Sequence, residues 1–172
     1  MKTIEAFNPL DHKKIIQILI EEFEKQSFCK MPLTDKFIAQ GVYGIYCYQS
    51  LDYLKNSELD KPIYIGKAVY GGSRKGQIKT ERPALFDRLN QHAKSIQLAE
   101  NLNINSFYCR YLSLDDLWIA TTESELIKYY KPHWNNVLEG FGNRNGLNKT
   151  RNPNNLSKWD QQHPGRRQQV VS

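Results

Sequence analysis

The spacing of apolar residues along the chain predicts three helices. The first follows Asp11, which is suited to cap it, and ends near Ser27, with apolar residues at helical spacing: Ile15, Ile18, Leu19 and Phe23. A second covers residues 83–98, with Pro83 in its first turn. A third covers residues 121–131 and ends before Pro132.

Three further stretches have the composition of β-strands, residues 41–48, 62–66 and 107–112. The first two form a hairpin around a longer connection. The first reads GVYGIYCY, and strand alternation places Tyr43 on the face of Ile45 and Cys47. Tyr46 and Tyr48 then face the other side with Val42, where we expect them only to pack. The pattern predicts an α+β fold, with a small antiparallel three-stranded sheet flanked by helices.

The rest of the chain has little periodicity. Residues 28–40 contain a short extended segment, residues 69–82 resemble an exposed loop, and the chain from Glu139 onward is rich in Gly, Asn and Arg. No repeat or second domain is visible, so we expect residues 1–172 to form a single domain.

Composition excludes several classes of protein. The apolar fraction of 40% suits a globular protein, and no apolar run is long enough to span a membrane. No signal peptide is recognisable at the N-terminus. The three cysteines are far apart and lack zinc-ligand spacing, so we expect reduced thiols in a cytoplasmic protein.

The net charge of +6 is unevenly distributed. Residues 61–94 carry eight Lys or Arg against two acidic side chains, whereas residues 1–60 carry seven basic and nine acidic ones. The tail from residue 139 is again basic. Clustering of this kind indicates a polyanionic partner such as nucleic acid, although a solvated basic surface is the alternative.

One carboxylate in the third helix lacks an ordinary explanation. Glu123 shares a helix face with Leu126, Ile127 and Tyr130. A carboxylate on an apolar face is costly unless it is paired or binds a metal. Its neighbour Glu125 falls on the other side, where solvation explains it. The alternative for Glu123 is a place at the rim of the apolar stripe.

The second helix has a related feature. Arg88 and His92, four residues apart, lie side by side along the edge of an arc formed by Leu85, Leu89 and Ile96. An Arg beside a His disfavours protonation of the imidazole, but a guanidinium binds phosphate oxygens through paired donors. The alternative is a surface Arg beside a partly packed His.

Taken in order, these residues resemble the GIY-YIG nuclease superfamily. The order is GVY at 41–43, YIG at 64–66, Arg88 with His92, Glu123 and Asn135. The resemblance covers residues 41–137 as a nuclease core, with extensions on both sides for DNA binding or dimer formation. It implies the GIY-YIG fold.

The flanking segments are similar to one branch of the superfamily, the type II restriction endonucleases that cut CCGCGG. The segments that carry this similarity are FNPLD (7–11), YIGKAVYGGSRKG (64–76), HAKSIQLAENL (92–102), CRYLSLDDLWI (109–119), GFGN (140–143) and WDQQHPGR (159–166). The resemblance therefore implies a site-specific deoxyribonuclease.

The chemistry that it implies is hydrolysis of a DNA phosphodiester with one divalent metal, Mg²⁺ or Mn²⁺, held by Glu123. Arg88 would bind a phosphate oxygen. Tyr43 and Tyr64 would line the nucleophile's position, and one of them would orient or deprotonate the attacking water. A free phenol has a pKa of about 10. A metal or a cation therefore has to lower that pKa, and Lys67, close to Tyr64 in sequence, is either that cation or a phosphate contact.

The remaining site residues have supporting roles in this scheme. His92 would hydrogen-bond a tyrosine or relay its proton, and Asn135 would hold the site through hydrogen bonds. The candidates for DNA contact, to bases or to phosphates, are Arg74, Lys75, Arg82 and Arg110.

A palindromic target predicts a homodimer with one active site per DNA strand, and the branch implies a cognate DNA methyltransferase. Two alternatives stay open. One is a structure-directed or homing-type nuclease, which usually carries a separate DNA-binding domain. The other is an inactive nucleic-acid-binding module, which would not need Glu123. A PD-(D/E)xK nuclease fold is disfavoured because no convincing motif is present.

Overall fold

The computed structural model describes residues 12–54, 60–71, 80–142 and 156–166. Asp11, the FNPLD segment, and the DNA-contact candidates Arg74 and Lys75 lie outside these residues. The elements are α1 (His12–Glu24), β1 (Cys29–Lys30), β2 (Gly41–Cys47), β3 (Tyr64–Ala68), α2 (Ala84–Gln97), β4 (Phe107–Ser113), α3 (Asp116–Tyr130), α4 (His133–Asn136) and α5 (Lys158–Gln162).

The strands form one antiparallel sheet in the order β1-β4-β2-β3. This confirms the predicted α+β architecture and the β2–β3 hairpin. The sheet has four strands and not the expected three, because Cys29 and Lys30 pair with Cys109 and Tyr108. A two-residue strand has no alternation that a sequence pattern could reveal. β3 lies at one edge of the sheet, which becomes important for the site.

Each face of the sheet supports its own apolar cluster. Tyr43 and Ile45 point towards α2 and pack in a cluster with Leu85 and Leu89. On the opposite face, where α1 and α3 lie, a second cluster consists of Phe23, Val42, Ile65, Ile119 and Leu126. β2 is therefore buried over its whole length, which confirms the predicted alternation of Tyr43 with Val42.

Several boundaries and exposures differ from the predictions. α3 begins at Asp116, five residues before the predicted start at 121, since its first turns carry no clear apolar stripe. Ile18 of the predicted α1 stripe is 57% exposed. Tyr46 is buried as expected, but Tyr48 is 44% exposed and touches Tyr108 edge to face.

The C-terminal region is more ordered than its composition indicates. α5 lies in the stretch that was expected to lack periodicity, and its Trp159 is fully buried. Five residues are too few to produce a helical repeat. The three cysteines are free thiols, as expected. Among the described helices, none has both the length and the apolarity that crossing a membrane requires.

The end of α3 is shaped by a non-glycine residue in left-handed conformation. Lys131 has φ 51° and donates its backbone N–H to the Ile127 carbonyl at 2.9 Å. Pro132 then prevents the helix from continuing and leads the chain into α4. This turn sets the position of Asn135, a predicted site residue.

We expect Lys131→Gly to raise the free energy of unfolding by about 0.5–1 kcal/mol, because glycine adopts this conformation without a Cβ clash. Thermal and urea unfolding measure the change. The matched control is Ala120→Gly, at an exposed position inside α3. It should lower stability by about 1 kcal/mol. Destabilisation by both variants would contradict the assignment of strain to Lys131.

Candidate active site

A glycine in the edge strand makes room for the tyrosines of the GVY and YIG motifs. Gly66 lies opposite Tyr43 in the β2–β3 ladder. A Cβ added to Gly66 would lie 2.5 Å from the Tyr43 phenol oxygen and 3.0 Å from the Tyr64 ring. The phenol of Tyr43 therefore passes over the backbone of β3 towards the sheet edge, and any side chain at position 66 would displace it.

The helix α2 adds an imidazole to the two phenols. The Tyr43 phenol oxygen and His92 Nε2 are 2.7 Å apart, a buried hydrogen bond. The Tyr64 and His92 rings are 5.3 Å apart between centroids. The sequence predicted His92 at the edge of the buried arc of α2. His92 is 2% exposed and therefore belongs to the arc itself.

Burial keeps these groups neutral. It raises the pKa of Tyr43 well above its ordinary value and also raises the pKa of Tyr64, since a phenolate would lose its hydration. Burial likewise lowers the pKa of His92 well below its ordinary value, with the Arg88 charge as a second cause. At neutral pH the imidazole is therefore an uncharged proton acceptor or donor.

The cation beside the phenols is Arg88 and not Lys67. The Arg88 guanidinium lowers the pKa of both Tyr43 and Tyr64, although burial outweighs it. The expectation that Lys67 lowers the pKa of Tyr64 is wrong, because strand alternation turns Lys67 to the opposite face of β3. There its ammonium nitrogen lies 2.7 Å from Glu123 Oε2.

Glu123 is near the phenols but approaches from the other face of the sheet. Its negative charge raises the pKa of Tyr43 and Tyr64. Glu123 and Glu125 have similar exposed side-chain fractions, 21% and 18%, so the predicted contrast in solvation is wrong. Their partners distinguish them. Glu125 pairs with Lys128 of its own helix at 2.6 Å, whereas Glu123 pairs with strand β3.

Arg88 lies between the phenols and an open cavity. It donates to Gln91 Oε1 at 2.7 Å and to the carbonyl oxygen of Gly142. A cavity of about 300 Å³ adjoins it, lined by Ala68, Val69, Arg82, Ala84, Asp87, Arg88 and Gln91. Two guanidinium groups therefore border one cavity, an arrangement that suits a phosphate group.

Asn135 acts on the backbone of the edge strand. Its side-chain oxygen accepts from the Ile65 N–H and its side-chain nitrogen donates to the Ile65 carbonyl, both at 2.8 Å. The amide thus occupies the place of a neighbouring strand at the open edge of β3. It thereby fixes the strand that carries Tyr64 and Gly66 through the backbone of the residue between them.

The GFG loop of the GFGN segment, where the sequence predicted no site residue, closes the cluster. The Phe141 ring stacks on His92, with centroids 4.6 Å apart and planes 21° apart, and meets Tyr64 edge to face at 5.0 Å. A Cβ on Gly142 would lie 2.1 Å from the Tyr64 phenol oxygen. Glycines on both sides of one aromatic residue, GFG at 140–142, were the available signal.

With this geometry established, comparison with known families is decisive. The family model of the Eco29kI GIY-YIG domain matches residues 35–170. The chain belongs to this family. No curated protein matches it. Membership establishes a GIY-YIG nuclease of restriction type, a class that acts on DNA, and agrees with the α+β fold.

The described DNA-contact candidates of this GIY-YIG nuclease lie in different surroundings. Arg82 is exposed beside the cavity and donates to the Val69 carbonyl at 3.1 Å. Arg110 lies on the sheet face opposite Tyr43, with its guanidinium 4.2 Å from the Phe28 ring centroid and 5.6 Å from that of Tyr46. Packing over these rings explains Arg110 without DNA.

The described acidic residues limit the type of metal centre that the nuclease could have. Within residues 12–54, 60–71, 80–142 and 156–166, no group of three or more His, Cys, Asp or Glu side chains could hold a metal ion. Glu123 is partly exposed and is the carboxylate beside the phenols. One carboxylate fits Mg²⁺, which keeps several waters and binds phosphate oxygens at the same time.

The buried imidazoles predict how stability depends on pH. Folding lowers the pKa of His92, and lowers that of His163 to about 4, both chiefly through burial. The unfolded chain therefore binds more protons than the folded one below pH of about 6.5. The contribution of the two neutral imidazoles to the free energy of unfolding is therefore complete above that pH and is lost as the pH falls.

We expect His92→Gln to reduce the slope of unfolding free energy against pH between about 5 and 6, by up to about 1.4 kcal/mol per pH unit. Urea unfolding at several pH values measures this slope. His163→Gln should reduce it independently, and the double variant should combine both effects. An unchanged slope in His92→Gln would mean that His92 is protonated in the folded protein.

Proposed function

We propose that the protein is a type II site-specific restriction endonuclease, which hydrolyses phosphodiester bonds of double-stranded DNA at a palindromic site. The observation that carries the proposal is the hydrogen bond between Tyr43 and His92, with Arg88 beside it and Glu123 across the edge strand. This set combines a proton acceptor, a phosphate ligand and a metal ligand within one site.

As Tyr43 gives its hydroxyl proton to His92, the phenol pair takes up the proton of the attacking water, so that both phenols end neutral and the proton resides on the imidazole. Tyr43 is fully buried, whereas Tyr64 is 9% exposed, so solvent meets the pair at Tyr64. His92 is neutral because its pKa is low, and its Nε2 lies 2.7 Å from the Tyr43 oxygen. A neutral imidazole at that distance can receive the phenol proton.

Arg88 binds a non-bridging oxygen of the scissile phosphate. Its guanidinium borders the cavity and is held from behind by Gln91 and by the Gly142 carbonyl. Because the group is already oriented, it stabilises the charge that develops on the phosphate without reorganisation. Arg82, on the same cavity, contacts a neighbouring phosphate.

Glu123 holds one divalent cation, Mg²⁺ or Mn²⁺. Such a cation, when bound, would neutralise charge on the scissile phosphate and stabilise the leaving oxygen. Lys67 is the partner of Glu123 in the free protein and contacts phosphate when DNA is present. Asn135 keeps β3 in register, so that Tyr64 and Gly66 stay in position.

Sequence recognition comes from residues other than the catalytic motifs, and the similarity of the flanking segments favours CCGCGG as the site. Arg74, Lys75 and Arg82 are the candidates for DNA contact, because Arg110 is packed over the Phe28 and Tyr46 rings. A palindromic site requires two active sites related by a two-fold axis, hence a homodimer on DNA. A cognate methyltransferase would protect the host DNA in the cytoplasm.

Digestion of plasmid DNA with Mg²⁺, and with EDTA as control, tests the proposal. Discrete fragments that map to one palindrome are expected. Random fragments or single-strand nicks would indicate a structure-directed or homing-type nuclease. Binding without any cleavage would indicate an inactive nucleic-acid-binding module, although the buried Tyr43–His92 pair would then serve no purpose.

Glu123→Ala should abolish cleavage, because the metal ligand is removed, and leave DNA binding nearly unchanged, because the basic surface stays. Cleavage is followed on plasmid DNA and binding by gel shift in EDTA. Glu125→Ala is the matched control, since it removes a carboxylate of similar exposure from the same helix. Normal cleavage by Glu123→Ala with loss in Glu125→Ala would reverse the assignment.

Arg88→Ala should reduce the single-turnover cleavage rate by roughly 100-fold or more while changing DNA affinity by only a few-fold, because its contact strengthens as charge develops. Arg82→Ala serves as the comparison, with the larger effect on affinity. Equal losses of rate and affinity in Arg88→Ala would make Arg88 a contact that only positions DNA.

A further inference from the structure

The C-terminal segment, residues 156–166, contains a buried ion pair that the proposed chemistry does not use. Arg166 and Asp160 are 1% and 5% exposed. Arg166 Nε and Nη2 lie 2.8 and 2.7 Å from Asp160 Oδ1, and the guanidinium lies 4.5 Å from the Trp159 ring centroid. Arg166 is one of the basic residues of the tail from residue 139, but its burial means that it does not contribute to a basic surface.

The remaining donors of Arg166 point at the loop that closes the active site. Nη1 donates to the Phe141 carbonyl at 3.2 Å and Nη2 to the Gly140 carbonyl at 3.3 Å. Gly140 has φ 109°, and a Cβ there would lie 2.2 Å from the Ser157 Cβ. The C-terminal segment and the loop thus fit together at a position that only glycine can occupy.

The same loop touches the catalytic groups on its other side. The Phe141 ring stacks on His92, and the Gly142 carbonyl accepts from Arg88. Two short routes therefore lead from Arg166 to the site. One runs through the Phe141 backbone and ring to His92, and the other through Gly140 and Gly142 to Arg88.

Docking of the segment does not itself require Arg166. His163 bonds the Tyr53 hydroxyl at 2.7 Å and Asn101 Oδ1 at 2.9 Å, and Asn101 Nδ2 donates to the Gln162 carbonyl at 3.0 Å. The Glu100 N–H also donates to the Pro164 carbonyl. Two well-packed apolar side chains could replace both partners of a buried ion pair at little cost in stability, so the charges point to a geometric role.

We propose that Arg166, held by Asp160, is a positioning residue for the active site. It fixes the carbonyls of Gly140 and Phe141, so that Phe141 holds the His92 ring against Tyr43 and Gly142 orients Arg88. The inference rests on the proposed function. It extends the machinery for phosphodiester cleavage to a segment beyond the core of about 41–137.

The test uses two variants of the full chain. Arg166→Met keeps an unbranched apolar side chain and removes the hydrogen-bond donors, whereas Arg166→Lys keeps the positive charge and loses the guanidinium geometry. We expect Arg166→Met to lower the single-turnover cleavage rate by roughly 10- to 100-fold, with DNA affinity in EDTA changed less than about twofold. Arg166→Lys should lie between Arg166→Met and wild type. The nuclear Overhauser contacts between the Phe141 and His92 rings should weaken in parallel.

Asn101→Ala is the matched control, because it loosens the same segment without touching the loop. It should cut at the wild-type rate. If Arg166→Met fails to fold, Phe141→Leu replaces it, since that variant leaves the ion pair intact and should show the same loss of rate with unchanged affinity.

A folded Arg166→Met that keeps the ring contacts and the wild-type rate would overturn the inference. An equal loss of rate in Asn101→Ala would also overturn it, by showing that any loosening of the segment suffices. If the wild-type protein leaves all DNA uncut, the proposed function fails. The ring contacts between Phe141 and His92 still decide whether Arg166 positions the imidazole.

Discussion

The hydrogen bond between Tyr43 and His92 is the interaction around which the active site is built. Both groups are removed from water, so the neutral form of each is favoured, and each supplies the polar partner that the other needs. The neighbouring features maintain this state. Gly66 leaves room for the phenol and Phe141 covers the imidazole. The pair is thereby kept out of contact with bulk water.

The location of the site at the edge of a sheet explains how groups from both faces can meet. Strand β3 is covered by α2 on one face and by α3 on the other, and the charges of both Arg88 and Glu123 act on Tyr43 and Tyr64. In the middle of a sheet, neighbouring strands would keep such groups apart. An edge strand leaves backbone N–H and carbonyl groups without a partner strand, and the Asn135 side chain hydrogen-bonds those of Ile65.

The sequence predicted those parts of the site that depend on local order along the chain. Alternation in β2 correctly separated Tyr43 from Tyr46, and helical spacing correctly put His92 one turn after Arg88. Features that depend on tertiary contact were missed. Strand β1 is too short to show a pattern, and Lys67 is close to Tyr64 in sequence but on the opposite face. The buried Arg166 resembled a surface charge, because its partner and acceptors could be identified only from the fold.

The ion pair between Lys67 and Glu123 has a thermodynamic consequence. The ammonium already neutralises the carboxylate at 2.7 Å, so any cation that binds Glu123 has to compete with a tethered one. A polyanion offers Lys67 another partner and weakens that competition. Binding of a polyanion at Lys67 would then raise the affinity of Glu123 for a cation, and by reciprocity a bound cation would raise the affinity for the polyanion. A cation at Glu123 would therefore bind weakly until a polyanion engaged Lys67.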